Sequence, residues 1–393
     1  MAPPRDAVPH GRLRVAHVTT VPDFVELILL HDLRRMRDRV DATVFCAPGP
    51  GVERIRAEGF RVETIPIARK LTPWQDVRAV WALAARLRRE RFDVVHSWVP
   101  KGGLVGQLAA ALAGIPVRVH SCRGLLYTPG MAPWRRRLYR GTDRLTSAIA
   151  QRTLYNSAAD HATAVGDRLC APARARYTGT GIDLTAFRAT AESRASGAAL
   201  RASLGIPADA PVVASVGRYV ADKGYPELLR AAALVHARRP DARFVWLAPV
   251  LAGEEGMLDA RAIDEAGLGG VVHRLVERQD PRAVYAAADV LVHASHREGV
   301  PRVLMEAAAM GVPLVATDIA GCREVIDAED VGLLVPVGDA QAIADAILRT
   351  LGDPDAARAR ADRAAESVRA RFDQDGHSAR LWAVYEELVG GRA

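Results

Sequence analysis

Two glutamates separated by seven residues, Glu298 and Glu306, are candidates for binding a polar ligand. The surrounding pattern predicts a strand over 290–294, then a loop that holds Glu298, then a helix that carries Glu306. Val300 stands at the helix start, where Ser, Thr, Asp or Asn would cap the first backbone amides. Those amides are therefore available to an anion, and a diphosphate is a natural ligand for them. The alternative is that both glutamates are solvated acids on a surface helix.

A second segment supplies positive charge. It begins as a predicted strand over 212–216 and continues through Gly217 and Arg218 into a loop with Lys223 and Gly224. Two cations at the carboxyl end of a parallel strand can bind a diphosphate and stabilise its charge as it leaves. The GxxxxGK[ST] pattern is absent, and no GxGxxG follows a strand, which argues against a dehydrogenase. Alternatively, both cations are ordinary surface charges.

The elements that position these residues follow a regular order. Short β-rich runs alternate with longer helical stretches, which predicts parallel sheets with helices on both faces. Residues 1–187 and 211–370 each form one such series, so the expected fold is α/β with two doubly wound, Rossmann-like domains. Residues 188–210, rich in Ala and Ser, are the expected linker, and a helix over 371–393 is expected to pack back toward the N-terminal domain. The expected site lies at the carboxyl ends of the strands, in a cleft between the domains.

The predicted strands are short and bounded by turn residues. In the first domain they are 13–19, 42–46, 61–65, 93–96, 117–121 and 161–165. In the second domain they are 212–216, 243–247, 271–276, 290–294, 313–317 and 332–335.

Composition narrows the class of protein. The chain has 393 residues, 49% hydrophobic and 25% charged, as in ordinary globular proteins. No stretch approaches the ~20 apolar residues that cross a bilayer. Four scattered cysteines without a CxxC pair, and an N-terminus without a signal-peptide core, predict a cytoplasmic protein.

The net charge of +7 is unevenly distributed. Residues 1–185 contain 29 Lys and Arg against 16 Asp and Glu, whereas the remainder contains 24 against 30. Basic residues cluster in 86–92 and 134–144, which are either solvated helix faces or a patch for anionic lipid headgroups or a phosphorylated substrate. Nucleic acid is disfavoured as a partner, because aromatic residues make up only 5% of the chain and no nucleic-acid-binding signature is present.

Together, these segments resemble the retaining GT-B glycosyltransferases of family four, which use nucleotide-sugar donors. The resemblance rests on Gly217-Arg218 with Lys223-Gly224, on EGVPRVLMEAAAMGVPLVATDIAGCREVI (298–326) and on GLLVPVGD (332–339). Segments of the first domain look like members that build capsular, O-antigen or other cell-surface polysaccharides. These segments are HVTTVP (17–22), FDVVHSWVPKGGLVGQLAA (92–110), VRVHSCRGLLY (117–127) and GTGIDLTAF (179–187).

The resemblance implies a role for each matching residue. Arg218 and Lys223 would hold the donor diphosphate, Glu306 would accept hydrogen bonds from the ribose hydroxyls, and Glu298 would contact the transferred sugar. The remaining expected donor contacts are Gly299 and the backbone amides of Arg302 and Val303. The family retains anomeric configuration by front-face attack, in which the leaving phosphate helps to deprotonate the acceptor. Glu298 is therefore expected to position the sugar and stabilise charge.

The chain departs from the family pattern at three turns. After the first strand, many relatives carry Gly-Gly where this chain has Thr20 and its neighbours. After the fifth strand, many carry a histidine where this chain has Arg123, so either Arg123 or His120 would have to contact the sugar. A glycine-rich turn after the second C-terminal strand is replaced by Ala248-Pro249-Val250, which would reshape the nucleotide pocket.

Thr20, His96 and Lys101 are the expected acceptor contacts. His96 equally fits a hydrogen-bonded structural residue, and Lys101 fits either an acceptor-phosphate ligand or a plain surface lysine. The histidines lack metal-ligand spacing, and no DxD pair stands in a suitable loop, so no catalytic metal and no tightly bound cofactor is expected.

The sequence therefore predicts a metal-independent, retaining glycosyltransferase that moves a sugar from a UDP-sugar to a glycan or polyprenyl-linked acceptor in cell-surface polysaccharide synthesis. Peripheral contact with the anionic inner face of the membrane is a further expectation. The alternatives are glycosylation of a small soluble natural product, a nucleotide-sugar 2-epimerase, a sugar phosphorylase or a non-enzymatic subunit that binds a sugar nucleotide. The phosphorylase lacks a candidate pyridoxal-phosphate lysine, and the intact set of two cations and two glutamates argues against the subunit.

Overall fold

The computed structural model describes residues 12–67, 72–127, 131–249, 256–259, 261–277 and 280–391. The chain divides into two compact units. The first comprises Met1–Gly181 together with Gln374–Ala393, and the second comprises Ile182–Asp373. Val250, part of the predicted change in the nucleotide pocket, lies outside the described residues.

The described part of the first unit contains a sheet of seven parallel strands. The strands are β1 (Leu13–Val18), β2 (Val40–Cys46), β3 (Arg61–Thr64), β4 (Val94–Trp98), β5 (Val117–Cys122), β6 (Arg152–Tyr155) and β7 (Ala175–Tyr177), in the order β3-β2-β1-β4-β5-β6-β7. The helices are α1 (Pro22–Phe24), α2 (Leu30–Arg35), α3 (Gly51–Ala57), α4 (Pro73–Glu90), α5 (Pro100–Leu112), α6 (Pro133–Ile149) and α7 (Ala158–Gly166), with a π-helical turn at Val25–Leu29. Apolar clusters cover both faces of the sheet.

The described part of the second unit has the same architecture with six parallel strands. They are β8 (Val212–Val216), β9 (Arg243–Leu247), β10 (Val272–Leu275), β11 (Val290–His293), β12 (Leu314–Thr317) and β13 (Leu333–Val335), in the order β10-β9-β8-β11-β12-β13. The helices are α8 (Ala191–Ser203), α9 (Tyr225–Arg238), α10 (Ala262–Glu265), α11 (Pro281–Ala287), α12 (Arg302–Ala309), α13 (Ala320–Arg323), α14 (Ala340–Gly352) and α15 (Pro354–Arg371), with a 3₁₀ turn at Ala221–Lys223. The predicted α/β fold with two Rossmann-like domains is confirmed.

Residues 188–210 do not form the simple linker that the sequence predicts. They contain α8, whose first turn is closed by a capping box between Thr190 and Ser193. Gly197 lets this helix approach α11 closely, because a Cβ on Gly197 would lie 2.5 Å from the carbonyl oxygen of Ala286. The segment therefore belongs to the second unit, which begins at Ile182.

A strand predicted over 161–165 is also wrong. Those residues lie in α7, where the Ser157 side chain accepts a hydrogen bond from the amide of Asp160 and caps the helix. The β-branched Thr163 and Val165 favoured a strand, but the cap and the neighbouring alanines favour a helix. The strand that occupies this place in the sheet is β6.

The last helix, α16 (Gln374–Gly390), is part of the first unit. Gln374 and Ser378 both donate to the buried carboxylate of Asp32, at 2.8 and 2.6 Å. The Tyr385 hydroxyl hydrogen-bonds with Nδ1 of His96 at 2.6 Å. In the described ranges, no helix combines the length and apolar character needed to cross a membrane.

Candidate active site

The predicted donor residues meet because β8 and β11 are neighbours in the second sheet. The two strands are parallel, so the loops that follow them leave the same edge of the sheet. The strand order also reverses between β8 and β11. Such a reversal opens a crevice at the carboxyl ends of the strands, where doubly wound folds bind ligands.

The loop after β8 positions Arg218 and Lys223. The Tyr225 hydroxyl, which is buried, donates to the carbonyl oxygen of Gly217 at 3.0 Å and fixes the start of the loop. The loop then makes the 3₁₀ turn and ends at Gly224, whose φ of 73° favours glycine. A Cβ on Gly224 would lie only 2.0 Å from the carbonyl oxygen of Ala294, so this glycine also allows the two loops to touch.

Hydrogen bonds join the loop after β11 to the loop after β8. The amide of His296 and the Ser295 hydroxyl donate to the carbonyl oxygen of Asp222, at 2.9 and 3.2 Å. The Thr317 hydroxyl, from β12, donates to the carbonyl oxygen of Ser295 at 2.5 Å. The two loops therefore form one hydrogen-bonded structure.

Glu298 lies at the centre of this structure. Its Oε1 pairs with Nζ of Lys223 and lies 3.3 Å from Nε2 of His293. The side chain of Glu298 is 20% exposed and that of Lys223 is 17% exposed. Burial raises the pKa of Glu298, but His293 and Lys223 outweigh that effect and hold the pKa at about 2. Glu298 is therefore an ionised, partnered acid and not a solvated surface residue.

Glu306 is buried on α12 and faces two hydrogen-bond donors. The Tyr285 hydroxyl donates to its Oε2 at 2.9 Å, and Nε of Arg302 lies 3.3 Å from its Oε1. Burial raises the pKa of Glu306, while Arg302 and the Tyr285 hydrogen bond work against that rise. The arrangement holds a carboxylate that can accept hydrogen bonds from hydroxyl groups.

The start of α12 is arranged as predicted for an anion site. The helix follows Pro301, and no side chain caps its first turn. Arg302 and Val303 are its first residues, and Gly299 and Val300 lie in the loop just before Pro301. The backbone of Gly299 packs closely against α13, since a Cβ on Gly321 would lie 1.8 Å from the Gly299 carbonyl oxygen.

The residues predicted in the first unit lie at the carboxyl edge of its central strands. Thr20 follows β1 and is buried, and Arg123 follows β5 with its guanidinium 5.9 Å from the ring centre of Phe24. His120 lies within β5 at 4% exposure, with its ring against Gly103 and its Nδ1 3.1 Å from the Ser97 hydroxyl. Burial lowers the pKa of His120 to about 4.

His96 and Lys101 are both buried against partners within the first unit. His96 is fully buried, its Nδ1 hydrogen-bonds with Tyr385 and its Nε2 hydrogen-bonds with the Ser121 hydroxyl at 2.8 Å. This is the structural alternative that the sequence left open for His96. Lys101 is only 8% exposed, and its Nζ lies 2.7 Å from Oδ1 of Asp76. It is therefore neither a surface lysine nor a cation without a counterion.

Sequence reasoning missed His293, Tyr285 and Asp76. Each is a partner of a predicted residue, but each lies on a separate element, so the pairing depends on the assembled sheet. His293 could have been noticed as a polar residue ending an otherwise apolar strand, VLVH. Among the described residues, no group of three His, Cys, Asp or Glu side chains is arranged to hold a metal ion.

Comparison with protein families gives a match for each unit. Residues 25–181 match the model described as glycosyl transferase 4-like domain. Residues 198–368 match the model described as glycosyl transferases group 1. The second match contains every residue predicted to contact the nucleotide-sugar donor: Arg218, Lys223, Glu298, Gly299, Arg302, Val303 and Glu306.

Individual relatives of the chain are also glycosyltransferases. A D-inositol 3-phosphate glycosyltransferase from Saccharomonospora viridis is 33% identical over 314 residues, which cover 76% of this chain and 70% of that protein. The UDP-Gal:alpha-D-GlcNAc-diphosphoundecaprenol alpha-1,3-galactosyltransferase of Escherichia coli is 23% identical over 352 residues, with 88% and 89% coverage. Among solved structures, Anabaena HepE in complex with UDP and glucose matches with a TM-score of 0.81 and 21% identity, over 96% of this chain and 100% of that chain.

Proposed function

The chain belongs to the family-four glycosyltransferases of GT-B architecture, and we propose that it transfers a sugar from a UDP-sugar with retention of anomeric configuration and without a metal ion. The proposal rests mainly on one observation. The loops that follow β8 and β11 meet at the carboxyl edge of the second sheet, where Lys223 pairs with Glu298. Arg218, on the same loop as Lys223, provides a second cation. A donor diphosphate needs such a pair of positive charges.

In the proposed reaction, the leaving diphosphate is bound by Arg218, Lys223 and the start of α12. As the bond from the sugar to the phosphate breaks, negative charge grows on the phosphate oxygens, and cations that are already in place lower the cost of that charge. These side-chain cations supply the positive charge that a metal ion provides elsewhere. The leaving phosphate then helps to remove the proton from the attacking hydroxyl on the same face of the sugar.

Glu298 and Glu306 are proposed to bind hydroxyl groups of the donor. Glu306, held by Tyr285 and Arg302, accepts hydrogen bonds from the ribose. Glu298 contacts the transferred sugar once Lys223 turns to the diphosphate, and its ionised state suits the positive charge that develops at the reacting carbon.

The acceptor is proposed to be a polyprenyl-linked glycan of a cell-surface polysaccharide. The E. coli relative, a galactosyltransferase that acts on GlcNAc-diphosphoundecaprenol, supports this acceptor class, and the match covers 88% of the chain. Thr20, which is buried at the carboxyl end of β1, is a proposed acceptor contact in the first unit, and Arg123, which follows β5, is a proposed contact to the transferred sugar. A soluble phosphorylated acceptor is the second candidate, favoured by the relative from S. viridis.

Calorimetric titration with UDP and GDP tests the donor site. We expect UDP to bind more tightly than GDP, and Arg218→Ala to weaken UDP binding roughly tenfold or more, since it removes a charge-assisted contact. Arg238→Ala is the matched control, because Arg238 is exposed at the far end of α9 and pairs with Asp345. Tighter binding of GDP would overturn the choice of base, and equal affinities of the two variants would overturn the site.

Product analysis tests the reaction. A UDP-α-sugar is incubated with a lipid-linked glycan or with inositol phosphate, and the anomeric coupling of the first product is read by NMR. An α-linked product supports retention, and the acceptor that is consumed identifies the acceptor class. A β-linked product would contradict retention, and release of an isomeric nucleotide sugar without acceptor would instead indicate a 2-epimerase.

A further inference from the structure

Three tryptophans of the first unit are unusually exposed. Trp74 and Trp81 on α4 are 84% and 62% exposed, and Trp134 on α6 is 65% exposed. By contrast, Trp98 and Trp246 are buried in the two sheets. Large exposed aromatic side chains that cluster on one surface mark interaction sites in soluble proteins.

The exposed apolar residues follow the helical repeat. Trp74, Val77 and Trp81 are spaced by three and four residues, so they line one face of α4. Trp134, Leu138 and Leu145 form a similar stripe on α6, with Leu138 and Leu145 45% and 46% exposed. Each set of exposed apolar residues therefore lies along one face of its helix.

The two stripes lie on the same side of the first sheet. Both α4 and α6 pack against α5, so the three helices form one layer. The crossovers β3 to β4, β4 to β5 and β5 to β6 all run in one direction across the sheet, and right-handed connections then place their helices on one face. The outer side of this layer, carried by α4 and α6, is called the tryptophan face below.

Arginines flank both stripes. Arg78 stands beside Val77, and Arg135, Arg136 and Arg137 stand between Trp134 and Leu138. In the part of the chain that the structure describes, none of these four arginines has a carboxylate partner. Three acids near these helices are paired with other cations: Asp76 with Lys101, Glu63 with Arg86, and Asp167 with Arg140. The tryptophan face is therefore apolar and cationic at once.

We propose that the tryptophan face docks on an anionic membrane surface. Tryptophan and leucine enter the boundary between headgroups and acyl chains, while arginine stays at the level of the phosphates. Unpaired arginines add attraction to anionic lipids. A second copy of the chain is a poor occupant, because a symmetric contact would place arginine against arginine. A nucleic acid would use the arginines but would leave Val77, Leu138 and Leu145 without partners.

Vesicle flotation tests the proposal without donor or acceptor, so its outcome is separate from that of the proposed reaction. The full chain is mixed with vesicles of phosphatidylcholine alone or with about 40% phosphatidylglycerol, at low and high salt. We expect the protein to float with the anionic vesicles and to be released in part by salt. Failure to float with anionic vesicles at low salt would overturn the proposal.

Two variants locate the contact. Arg135→Gln, Arg136→Gln and Arg137→Gln combined should weaken binding about tenfold or more, and Trp74→Ser with Trp81→Ser should weaken it in a manner that low salt does not restore. Matched controls on the second unit are Arg238→Gln, Arg261→Gln and Arg363→Gln combined, and Met257→Ser with Val337→Ser, all at exposed positions. Equal binding by test and control variants would overturn the tryptophan face.

Two further measurements test whether the tryptophans insert into the membrane and whether a nucleic acid is the partner instead. Quenching of tryptophan fluorescence by brominated lipids in the unmodified protein requires no variant to fold, and its absence during flotation would contradict insertion of the tryptophans. Competition by double-stranded DNA that abolishes flotation, with direct DNA binding that depends on the same arginines, would replace the membrane by a nucleic acid as the partner.

Discussion

At the scale of single residues, the site depends on charges that are already paired. Lys223 and Glu298 neutralise each other, and both side chains are largely buried. Removing one partner leaves the other as an uncompensated charge, which costs more than removing both.

We therefore expect strong coupling between Lys223→Met and Glu298→Gln. The double variant should be more stable than the sum of the two single losses implies, with a coupling free energy of about 1–3 kcal/mol. Urea unfolding of the four proteins measures it. Additive losses would show that the pair contributes nothing to stability.

Tyr285→Phe tests how Glu306 is held. The Tyr285 hydrogen bond works against the rise in the pKa of Glu306, so its loss should raise that pKa further. A protonated Glu306 accepts fewer hydrogen bonds, and UDP affinity in the variant should therefore fall more steeply than in the unmodified protein as the pH decreases from 8 toward 4.5, the ordinary pKa of a glutamate.

Calorimetry with UDP at both pH values measures this effect. Tyr385→Phe is the matched control, because Tyr385 is also buried but bonds to His96 in the first unit. It should change stability and leave UDP affinity unaltered. A pH dependence that is the same in all three proteins would contradict the role of the Tyr285 hydroxyl.

The residue types at the site were predictable, but their partners were not. Glycine and proline punctuation placed Glu298 in a loop and Glu306 on a helix, which the structure confirms. The ion pair of Lys223 with Glu298 depends on β8 and β11 being neighbours although about 75 residues separate them. Likewise, nothing local showed that Lys101 would be buried against Asp76.

At the scale of elements, one glycine sets how closely the loops after β8 and β11 approach each other. Gly224 combines a φ of 73° with a contact that leaves no room for a Cβ beside Ala294. Substitution of Gly224 should therefore destabilise the protein more than backbone strain alone would.

We expect Gly224→Ala to lower the melting temperature and to weaken UDP binding. Gly311→Ala is the matched control, since Gly311 has a φ of 76° but nothing within 4 Å of a new Cβ. The Gly311→Ala variant carries the cost of left-handed backbone strain, about 1–2 kcal/mol, without the clash. Calorimetric melting and UDP titration separate the two effects, and identical behaviour of both variants would contradict the close contact of the loops.

The errors in the predicted elements have local causes. The helix over Ala191–Ser203 is poor in large apolar residues, so its amphipathic signal is weak and its sequence suggested a linker. It is stabilised by the capping box and by close packing on α11, which depends on Gly197. The long, apolar strands β8 and β9 gave clear signals, whereas the three-residue β7 did not.

At the scale of the whole molecule, the first unit contains a cluster of buried, neutral histidines. Burial lowers the pKa of His17 to about 3 and that of His120 to about 4, and it also lowers the pKa values of His96 and His377. In the unfolded chain these side chains bind protons below their usual pKa of 6.5. Unfolding therefore takes up protons between pH 6.5 and about 4.

The buried histidines should thus contribute fully to the free energy of unfolding of the first unit above pH 6.5. This contribution should fall as the pH decreases through that window. Each fully buried histidine contributes on the order of 1.4 kcal/mol per pH unit within it. Hydrogen exchange of peptides from β4 and β5, measured in urea at pH 5 and 7, reports on this unit alone. Equal protection at the two pH values would contradict the neutral histidine cluster.

The central claim places the donor diphosphate between the loops that follow β8 and β11, and a crystal structure of the chain with UDP tests it most directly. We expect the phosphates to contact Arg218 and Lys223, with Lys223 turned away from Glu298, and the ribose hydroxyls to contact Glu306. UDP bound at another edge of the second sheet, or in the first unit alone, would contradict the claim.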